Sequence, residues 1–219
     1  MKPRALIFDF DGVVADSETL ACAIAAAYAT ELGAPMSGDQ GLTRFMGKRV
    51  TDVAASIAQL GGAVPADFAE QLQLRTLAGF AERLEPVSGV EAFLKAHRDR
   101  LRCIASSSSH ARLDASLARL GLRAWFEGHI YSVDDVARGK PFPDLFLYAA
   151  AMLNCRPSEA LVIEDSVGGV TAAVAAGMPV IGLLAGTHVG SDHAGTLIEA
   201  GATAVARSYD EVSTWIAHM

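Results

Sequence analysis

Two acidic residues stand two positions apart near the N-terminus, directly after a short apolar run. The run covers residues 5–8, and Asp9 and Asp11 follow it. An apolar run of this length is typical of a strand buried on both faces of a sheet. Side chains two positions apart in a strand point to the same side, and parallel α/β sheets bind ligands at the carboxyl ends of their strands. The spacing therefore predicts two carboxylates that act on one bound ligand.

A second acidic pair ends another apolar run. Glu164 and Asp165 follow residues 161–163, and Gly168 and Gly169 then open a predicted helix. When two such runs belong to one parallel sheet, their four carboxylates lie at the same edge. Two like charges about 4 Å apart repel by roughly 4 kcal/mol at an effective dielectric constant of about 20. Such a cluster needs a cation, and Mg²⁺ bound by carboxylates and a substrate phosphate fits it best.

Two further segments carry groups suited to binding an anion. A serine run, residues 106–109, follows the apolar run 101–105. Its hydroxyls and N–H groups, with the positive N-terminal end of the next helix, can hold a phosphate, although a serine run alone is more typical of a helix N-cap. Lys140 stands between Gly139 and Pro141. The stiff turn fixes the direction of the Lys140 ammonium group, which suits a phosphate or carboxylate partner. Taken alone, this segment is equally typical of a lysine on the surface.

The elements that must position these residues alternate between strands and helices. This alternation predicts an α/β protein built on a doubly wound parallel sheet with helices on both faces. The pattern changes in residues 17–83, where helical segments follow one another without a buried strand. We therefore predict an α/β core of residues 1–16 and 84–219, with an inserted all-helical domain of residues 17–83. The predicted strands are 5–8, 101–105, 161–163, 179–183 and 203–206, and the predicted helices are 17–32, 39–45, 50–60, 67–84, 89–97, 111–120, 143–153 and 167–176.

Composition and charge exclude several classes of protein. The 219 residues are 51% hydrophobic with a net charge of −7, which indicates a folded chain and argues against non-specific nucleic-acid binding. Three scattered cysteines without CxxC spacing argue against a disulfide framework or a zinc site. The chain shows no signal-peptide pattern and no long apolar run, so we predict a cytoplasmic protein without a membrane partner. The six histidines show no paired metal spacing and are interpreted as surface or loop residues, with His110, which follows the serine run, as a candidate for the rim of the site.

Taken together, the four segments resemble the four motifs of the haloacid dehalogenase (HAD) superfamily in order and spacing. The resemblance spans essentially the whole chain, and the helical insertion is similar to the C1-type cap of subfamily I. Within the family, the chain resembles the group of β-phosphoglucomutases and sugar-phosphate and phosphogluconate phosphatases. The matching segments are Asp9-Phe10-Asp11-Gly12-Val13, Ser106, Lys140-Pro141-Phe142-Pro143-Asp144 and Glu164-Asp165-Ser166.

The resemblance implies a role for each matching residue. Asp9 is the expected nucleophile that forms an aspartyl-phosphate, and Asp11 is the general acid that protonates the leaving oxygen and then the base for hydrolysis. Ser106, its neighbour Ser107 and Lys140 are the expected phosphate-binding groups. The dehalogenases of the superfamily lack an acid two residues after the nucleophile, so Asp11 favours phosphoryl chemistry.

The same resemblance implies a magnesium site and a substrate class. Asp9, Asp165 and the backbone carbonyl of Asp11 are the expected Mg²⁺ ligands, and Glu164 is expected to bind directly or through water. The implied activity is that of a Mg²⁺-dependent phosphatase that hydrolyses a small phosphorylated metabolite, such as a sugar phosphate. We expect a monomer or a weak dimer.

Phosphomutase activity of the β-phosphoglucomutase type is the alternative. The mutases carry a histidine in the first cap helix, and residues 16–22 contain none. They also carry a phosphate-binding arginine at the position that aligns with Val50. These departures favour the phosphatase, with Arg44, Lys48 and Arg49 as predicted substrate contacts; each is equally typical of a solvated helix end.

Two other classes share part of this set of residues. A signalling receiver domain also combines acids, a hydroxyl residue and a lysine on a doubly wound sheet, but it is about half this length and has no cap. A catalytically silent binding protein is the other possibility, and the presence of every motif residue argues against it. Release of phosphate from p-nitrophenyl phosphate distinguishes the phosphatase from a receiver, which would accept phosphate without releasing it.

Overall fold

A six-stranded parallel sheet forms the centre of the protein. The structure is a computed structural model and describes residues 2–188 and 193–219. The strand order is β3-β2-β1-β4-β5-β6, with every neighbouring pair parallel. The strands are β1 Ala5–Phe8, β2 Leu101–Ser106, β3 Ile130–Ser132, β4 Ala160–Glu164, β5 Val180–Leu183 and β6 Ala204–Ala206.

The central strands are those that the sequence marks as fully apolar. Every residue of β1 and of β4 is buried, as expected for strands covered by helices on both faces. The chain builds one half of the sheet from β1 outward to β3 and then returns to place β4 on the other side of β1. Parallel sheets bind ligands at the point where the strand order reverses. The carboxyl ends of β1 and β4 flank that point.

The chain divides into two compact units. The core unit comprises Met1–Asp16 and Glu85–Met219, and the helical unit comprises Ser17–Leu84. Within the described residues, the core unit contains the sheet and six α-helices, and the buried faces of these α-helices carry mainly alanine, leucine and valine. Its helices are α5 Val90–Ala96, α6 His110–Leu120, α7 Asp144–Met152, α8 Val167–Ala175, α9 His193–Glu199 and α10 Tyr209–His218.

The helical unit has its own small core. Tyr28 and Phe68 stack with ring centroids 5.3 Å apart, and Ile57 and Phe80 are almost fully buried. Ser37 begins the second helix with a capping box that includes Gln40, which satisfies N–H groups at the start of the helix. The four helices are α1 Glu18–Glu31, α2 Gly38–Phe45, α3 Val50–Gln59 and α4 Phe68–Arg83.

The predicted fold class is confirmed, and the structure contains three elements for which the sequence pattern was weak. Each predicted strand and helix is present within a few residues of its predicted bounds. The edge strand β3 and the helices α9 and α10 were not predicted. Strand β3 has only three residues, too few for a periodic pattern. The sequence did carry a signal for helix α10, because Ser208 and Glu211 have the spacing of a capping box. In the structure, the Ser208 hydroxyl oxygen accepts a hydrogen bond from the N–H of Glu211. Among the described residues, no helix combines the length and apolar character needed to span a membrane.

Candidate active site

The carboxyl ends of β1 and β4 bring three carboxylates together. Phe8 pairs with Ile163 in the sheet, and the N–H of Asp9 donates to the carbonyl oxygen of Ile163 at 3.0 Å. This pairing places the residue after β1 beside the last residue of β4. As a result, one carboxylate oxygen from each of Asp9, Glu164 and Asp165 lies within 4.8 Å of the other two.

Lys140 is the cation inside this cluster. Its ammonium group contacts Oδ1 of Asp9 and lies 2.7 Å from Oε1 of Glu164, and its side chain is only 6% exposed. The Phe146 ring, whose centroid is 4.8 Å from the ammonium nitrogen, packs against it. Burial alone would lower the pKa of Lys140, but the two carboxylates outweigh burial and raise it. Lys140 is therefore a charged, fixed ammonium group.

Glu164 is held from both sides. Its Oε1 accepts from Lys140, while its Oε2 accepts from the N–H of Ser166 at 2.7 Å and from the Ser166 hydroxyl at 2.9 Å. A Cβ built on Gly169 would lie 1.6 Å from Oε1 of Glu164, so only glycine leaves room for this carboxylate at the first turn of α8. Glu164 thus fixes the position of the Lys140 ammonium group.

The charge balance of the cluster fits a divalent cation. Burial raises the pKa of Asp9 well above its ordinary value, with Lys140 opposing and the neighbouring carboxylates adding to the rise. Burial also raises the pKa of Asp165 to about 6, against a hydrogen bond from His188. Among the described contacts, the Lys140 ammonium group lies on Asp9 and Glu164 and offsets only part of the negative charge that three buried carboxylates can carry, and a buried charge needs a partner. Three carboxylates within ligand reach of one another form the hard oxygen donor set that Mg²⁺ prefers.

Asp11 lies beside this cluster but binds different partners. It is near enough to Asp9 to raise the pKa of that carboxyl. Its own Oδ2 accepts from the Ser108 hydroxyl at 2.7 Å, and its Oδ1 accepts from Nη2 of Arg112 at 2.6 Å. Strand β1 ends at Phe8, so strict strand alternation does not extend to Asp11. Neither Ser108 nor Arg112 was predicted individually as a site residue.

The serine run forms a tight loop between β2 and α6. Ser106 is buried, and its hydroxyl oxygen accepts from the N–H of Ser108 at 3.0 Å. Ser107 is exposed, and Ser109 caps α6 by accepting from the N–H of Arg112. Because β2 pairs with β1, the loop lies at the same edge of the sheet as Asp9. The phosphate-binding role of Ser106 and Ser107 stays a prediction.

His188 makes a contact that was not predicted. It lies in the loop after β5, in line with the prediction of surface or loop histidines, but its side chain is only 9% exposed, and its Nε2 donates to Oδ2 of Asp165 at 3.1 Å. His193 donates from Nε2 to the backbone carbonyl of the same aspartate at 2.5 Å. Both histidines follow β5, whereas Asp165 follows β4, so no local spacing in the sequence indicates the contact.

The predicted substrate contacts lie in the helical unit. Arg44 and Lys48 line a cavity of about 600 Å³ within that unit, together with residues of α2 and the end of α3. Arg49 is not among the residues that line it. Its guanidinium instead pairs with Asp52 at 3.0 Å on the surface. Their role as substrate contacts also stays a prediction.

Gly12 provides a test of how tightly the site is packed. Its φ is +79°, and a Cβ there would lie 1.7 Å from Oδ2 of Asp165. Gly128 has a matching φ of +80° but no heavy atom within 4 Å of an added Cβ. Gly12→Ala and Gly128→Ala both incur the left-handed backbone penalty of about 1–2 kcal/mol. Only Gly12→Ala also displaces Asp165, so we expect an additional loss of about 1–3 kcal/mol from overpacking.

Turnover should distinguish the two glycine variants further. Displacing a group of the site by about 1 Å can reduce a rate about 100-fold, so we expect Gly12→Ala to be nearly inactive and Gly128→Ala to keep normal turnover. Urea unfolding and steady-state kinetics measure both effects. Equal stability and equal activity of the two variants would show that Asp165 does not need its observed position.

Comparison with known proteins identifies the family. A family model for haloacid dehalogenase-like hydrolases matches residues 3–177. The chain is 27% identical over 187 residues to 6-phosphogluconate phosphatase of Escherichia coli K12, with 84% of each protein covered. It is 30% identical over 189 residues to beta-phosphoglucomutase of Bacillus subtilis 168, covering 82% of this chain and 83% of that protein.

A solved structure shows the same architecture over almost the whole chain. The crystal structure of a HAD family hydrolase from Deinococcus radiodurans R1, with bound phosphate and sodium, matches with a TM-score of 0.86 at 33% identity. The match covers 99% of this chain and 96% of that one. The family match extends over most of the core unit and all of the helical unit. The chain therefore belongs to the haloacid dehalogenase-like hydrolases.

Proposed function

We propose that this hydrolase is a Mg²⁺-dependent phosphatase that acts on a small phosphorylated metabolite through an aspartyl-phosphate on Asp9. The observation that carries the proposal is the buried cluster in which Asp9 lies beside Glu164, Asp165 and the fixed ammonium group of Lys140. A nucleophilic carboxylate, a neighbouring acid and a fixed cation are the groups that phosphoryl transfer needs.

In the first step, a carboxylate oxygen of Asp9 attacks the phosphorus atom of the substrate. The bond from phosphorus to the leaving oxygen breaks, and Asp11 gives its proton to that oxygen, so that an alcohol departs. Lys140 neutralises charge on the transferring phosphoryl group, and its fixed position requires no reorganisation during the reaction. The N–H groups and hydroxyls of the loop that contains Ser106 and Ser107 hold the other phosphoryl oxygens.

In the second step, Asp11 accepts a proton from water as the water oxygen attacks phosphorus. The bond from phosphorus to Asp9 breaks, which releases inorganic phosphate and restores the Asp9 carboxylate. The same carboxyl group is therefore an acid in one step and a base in the next, as proton balance requires.

The residues that would hold Mg²⁺ are Asp9, Asp165 and the backbone carbonyl of Asp11. Both oxygens of Glu164 already accept hydrogen bonds, which favours contact through water for this residue. Bound Mg²⁺ supplies positive charge that offsets the repulsion between the carboxylates and the anionic substrate.

The helical unit is proposed as the cap that selects the leaving group. Arg44, Lys48 and Arg49 are its cationic residues beside the start of α3, and they suit a polar or anionic metabolite. The relative that acts on 6-phosphogluconate supports a sugar-phosphate substrate. Cap closure would exclude water while the phosphoryl-enzyme forms.

Phosphate release from purified protein tests the proposal. We expect inorganic phosphate from p-nitrophenyl phosphate and from a panel of sugar phosphates when Mg²⁺ is present. EDTA should abolish release, and added Mg²⁺ should restore it. Phosphorylation of the protein in a one-to-one ratio without phosphate release would refute a phosphatase and would support a receiver-like activity.

A phosphomutase is the second candidate, because the chain is also similar to beta-phosphoglucomutase of Bacillus subtilis. A mutase transfers the phosphoryl group between two positions of a sugar and needs a second phosphate site. Incubation with glucose 1-phosphate separates the two activities. Glucose 6-phosphate as the main product would favour the mutase, and free phosphate would favour the phosphatase.

Asp11→Asn tests the acid–base assignment. Asparagine cannot donate the proton that a poor leaving group needs, whereas p-nitrophenolate leaves without one. We expect kcat/KM for sugar phosphates to fall by about 10²–10⁴-fold, with a much smaller fall for p-nitrophenyl phosphate. An equal loss on both substrates would refute the role of Asp11 as an acid.

A further inference from the structure

Ser108 and Arg112 each donate a hydrogen bond to a different oxygen of the Asp11 carboxylate. The Ser108 hydroxyl donates to Oδ2 at 2.7 Å, and the Arg112 guanidinium donates to Oδ1 at 2.6 Å. A hydrogen bond on each oxygen restricts rotation about both side-chain torsions of an aspartate. The bond from Arg112 is charge-assisted and therefore strong. Asp11 is thus held in one orientation, in contrast to a solvated acid at a strand end.

The two donors belong to one local structure. Ser108 and Arg112 lie four residues apart, on either side of the Ser109 cap that starts α6. Ser108 is itself fixed, because its N–H donates to the Ser106 hydroxyl at 3.0 Å and its carbonyl accepts from the Ser132 hydroxyl at 2.7 Å. The two donors to Asp11 therefore come from the start of α6, where hydrogen bonds to Ser106 and Ser132 hold the backbone of Ser108 in place.

The partial burial of the pair gives it more weight than an ordinary surface contact. The side chains of Arg112 and Asp11 are 28% and 18% exposed. By contrast, the arginine–aspartate pair between Arg123 and Asp114 has both side chains more than half exposed. Exposed ion pairs contribute little to stability. Arg123 therefore offers a matched control in the same unit.

We propose that Arg112 and Ser108 are positioning residues that hold the Asp11 carboxyl group in the orientation in which, protonated, it gives its proton to the leaving oxygen and, ionised, it then accepts a proton from water. This inference rests on the proposed function, because it assigns the two residues to the acid–base step. Because both of these hydrogen bonds end on Asp11, we expect the effect of the two residues on the rate to pass through this carboxyl group.

The experiment compares Arg112→Gln, Arg112→Lys, Ser108→Ala and Arg123→Gln in two backgrounds, the natural protein and Asp11→Asn. The substrates are phenyl phosphate and p-nitrophenyl phosphate, whose leaving groups differ in their need for a proton. For each variant and each substrate, we measure kcat/KM, which depends on the steps up to and including departure of the leaving group. We also measure the inhibition constant of inorganic phosphate for each variant. Circular dichroism and urea unfolding establish that each variant is folded.

In the natural background, we expect Arg112→Gln to lower kcat/KM for phenyl phosphate at least about tenfold more than for p-nitrophenyl phosphate. Ser108→Ala should act in the same direction, and Arg112→Lys should recover part of the loss because it keeps a cationic donor. Arg123→Gln should match the natural protein. In the Asp11→Asn background, Arg112→Gln should change kcat/KM by less than about twofold, because residues that act through one group are not additive.

Four results would overturn the inference, and they point to three different explanations. A loss of equal size on both substrates, or one that persists fully in the Asp11→Asn background, would show that Arg112 does not act through Asp11. If Arg112→Gln raised the inhibition constant of inorganic phosphate while the losses in kcat/KM on the two substrates were equal, Arg112 would be a phosphate ligand. If Asp11→Asn alone showed no dependence on the leaving group, the acid–base role itself would fail, and this inference would fail with it.

Discussion

Asp9→Asn is expected to abolish turnover while the protein stays folded. An amide oxygen is too poor a nucleophile to attack phosphorus, so kcat should fall by at least about 10⁴-fold. Folding should survive because Lys140 keeps the buried Glu164 carboxylate as its counter-ion, so that the substitution leaves no buried ammonium group without a partner. We expect the free energy of unfolding to change by less than about 2 kcal/mol.

Kinetics and urea unfolding measure these two quantities on one preparation. Asp114→Asn is a suitable control, because Asp114 is an exposed aspartate of the core unit whose partner is Arg123. It should keep normal turnover and stability. Turnover by Asp9→Asn within about tenfold of the natural protein would contradict the nucleophile assignment.

Lys140→Met is expected to have the largest effect on stability. Removing the ammonium group leaves the Asp9 and Glu164 carboxylates without their cation, in a place where the Glu164 side chain is 1% exposed. Breaking a buried ion pair from one side costs about 3–5 kcal/mol of unfolding free energy, because the remaining charge is buried and uncompensated. Activity should fall as well, by about 10²–10³-fold, since a fixed cation is lost.

The stability measurement should be made in EDTA, so that no added metal replaces the missing charge. Lys95→Met is the control, because Lys95 lies on the exposed side of α5, and we expect it to change the unfolding free energy by less than about 0.5 kcal/mol. Added Mg²⁺ should restore part of the stability of Lys140→Met. A Lys140→Met protein as stable as the control would show that the cluster does not depend on this cation.

The strands and their acidic ends could be predicted because their signals are local. Apolar runs indicate strands buried on both faces, and the position of Asp9 and Glu164 directly after such runs places them at one edge of a parallel sheet. Lys140 was also identifiable, since glycine and proline flank it. Once the acidic residues are placed at one edge of the sheet, charge balance indicates that the Lys140 ammonium group lies beside their carboxylates.

The contacts made by Arg112 and His188 could not be predicted in the same way. Arg112 lies in the first turn of a helix, where an arginine is usually solvated, and its partner is 101 residues away in the chain. His188 follows β5, while its partner Asp165 follows β4. Both contacts depend on how the segments that follow different strands pack against one another at the carboxyl edge of the sheet. A single sequence contains no local pattern that predicts this packing.

Capture of the phosphorylated enzyme tests the central claim most directly. A radiolabelled substrate is mixed with the protein and Mg²⁺, the reaction is quenched in acid within milliseconds, and the labelled peptide is sequenced. An acyl-phosphate is stable in acid and is cleaved by hydroxylamine. We predict hydroxylamine-sensitive label on Asp9 alone, at a level that rises and decays during one turnover. Label on another residue would contradict the account.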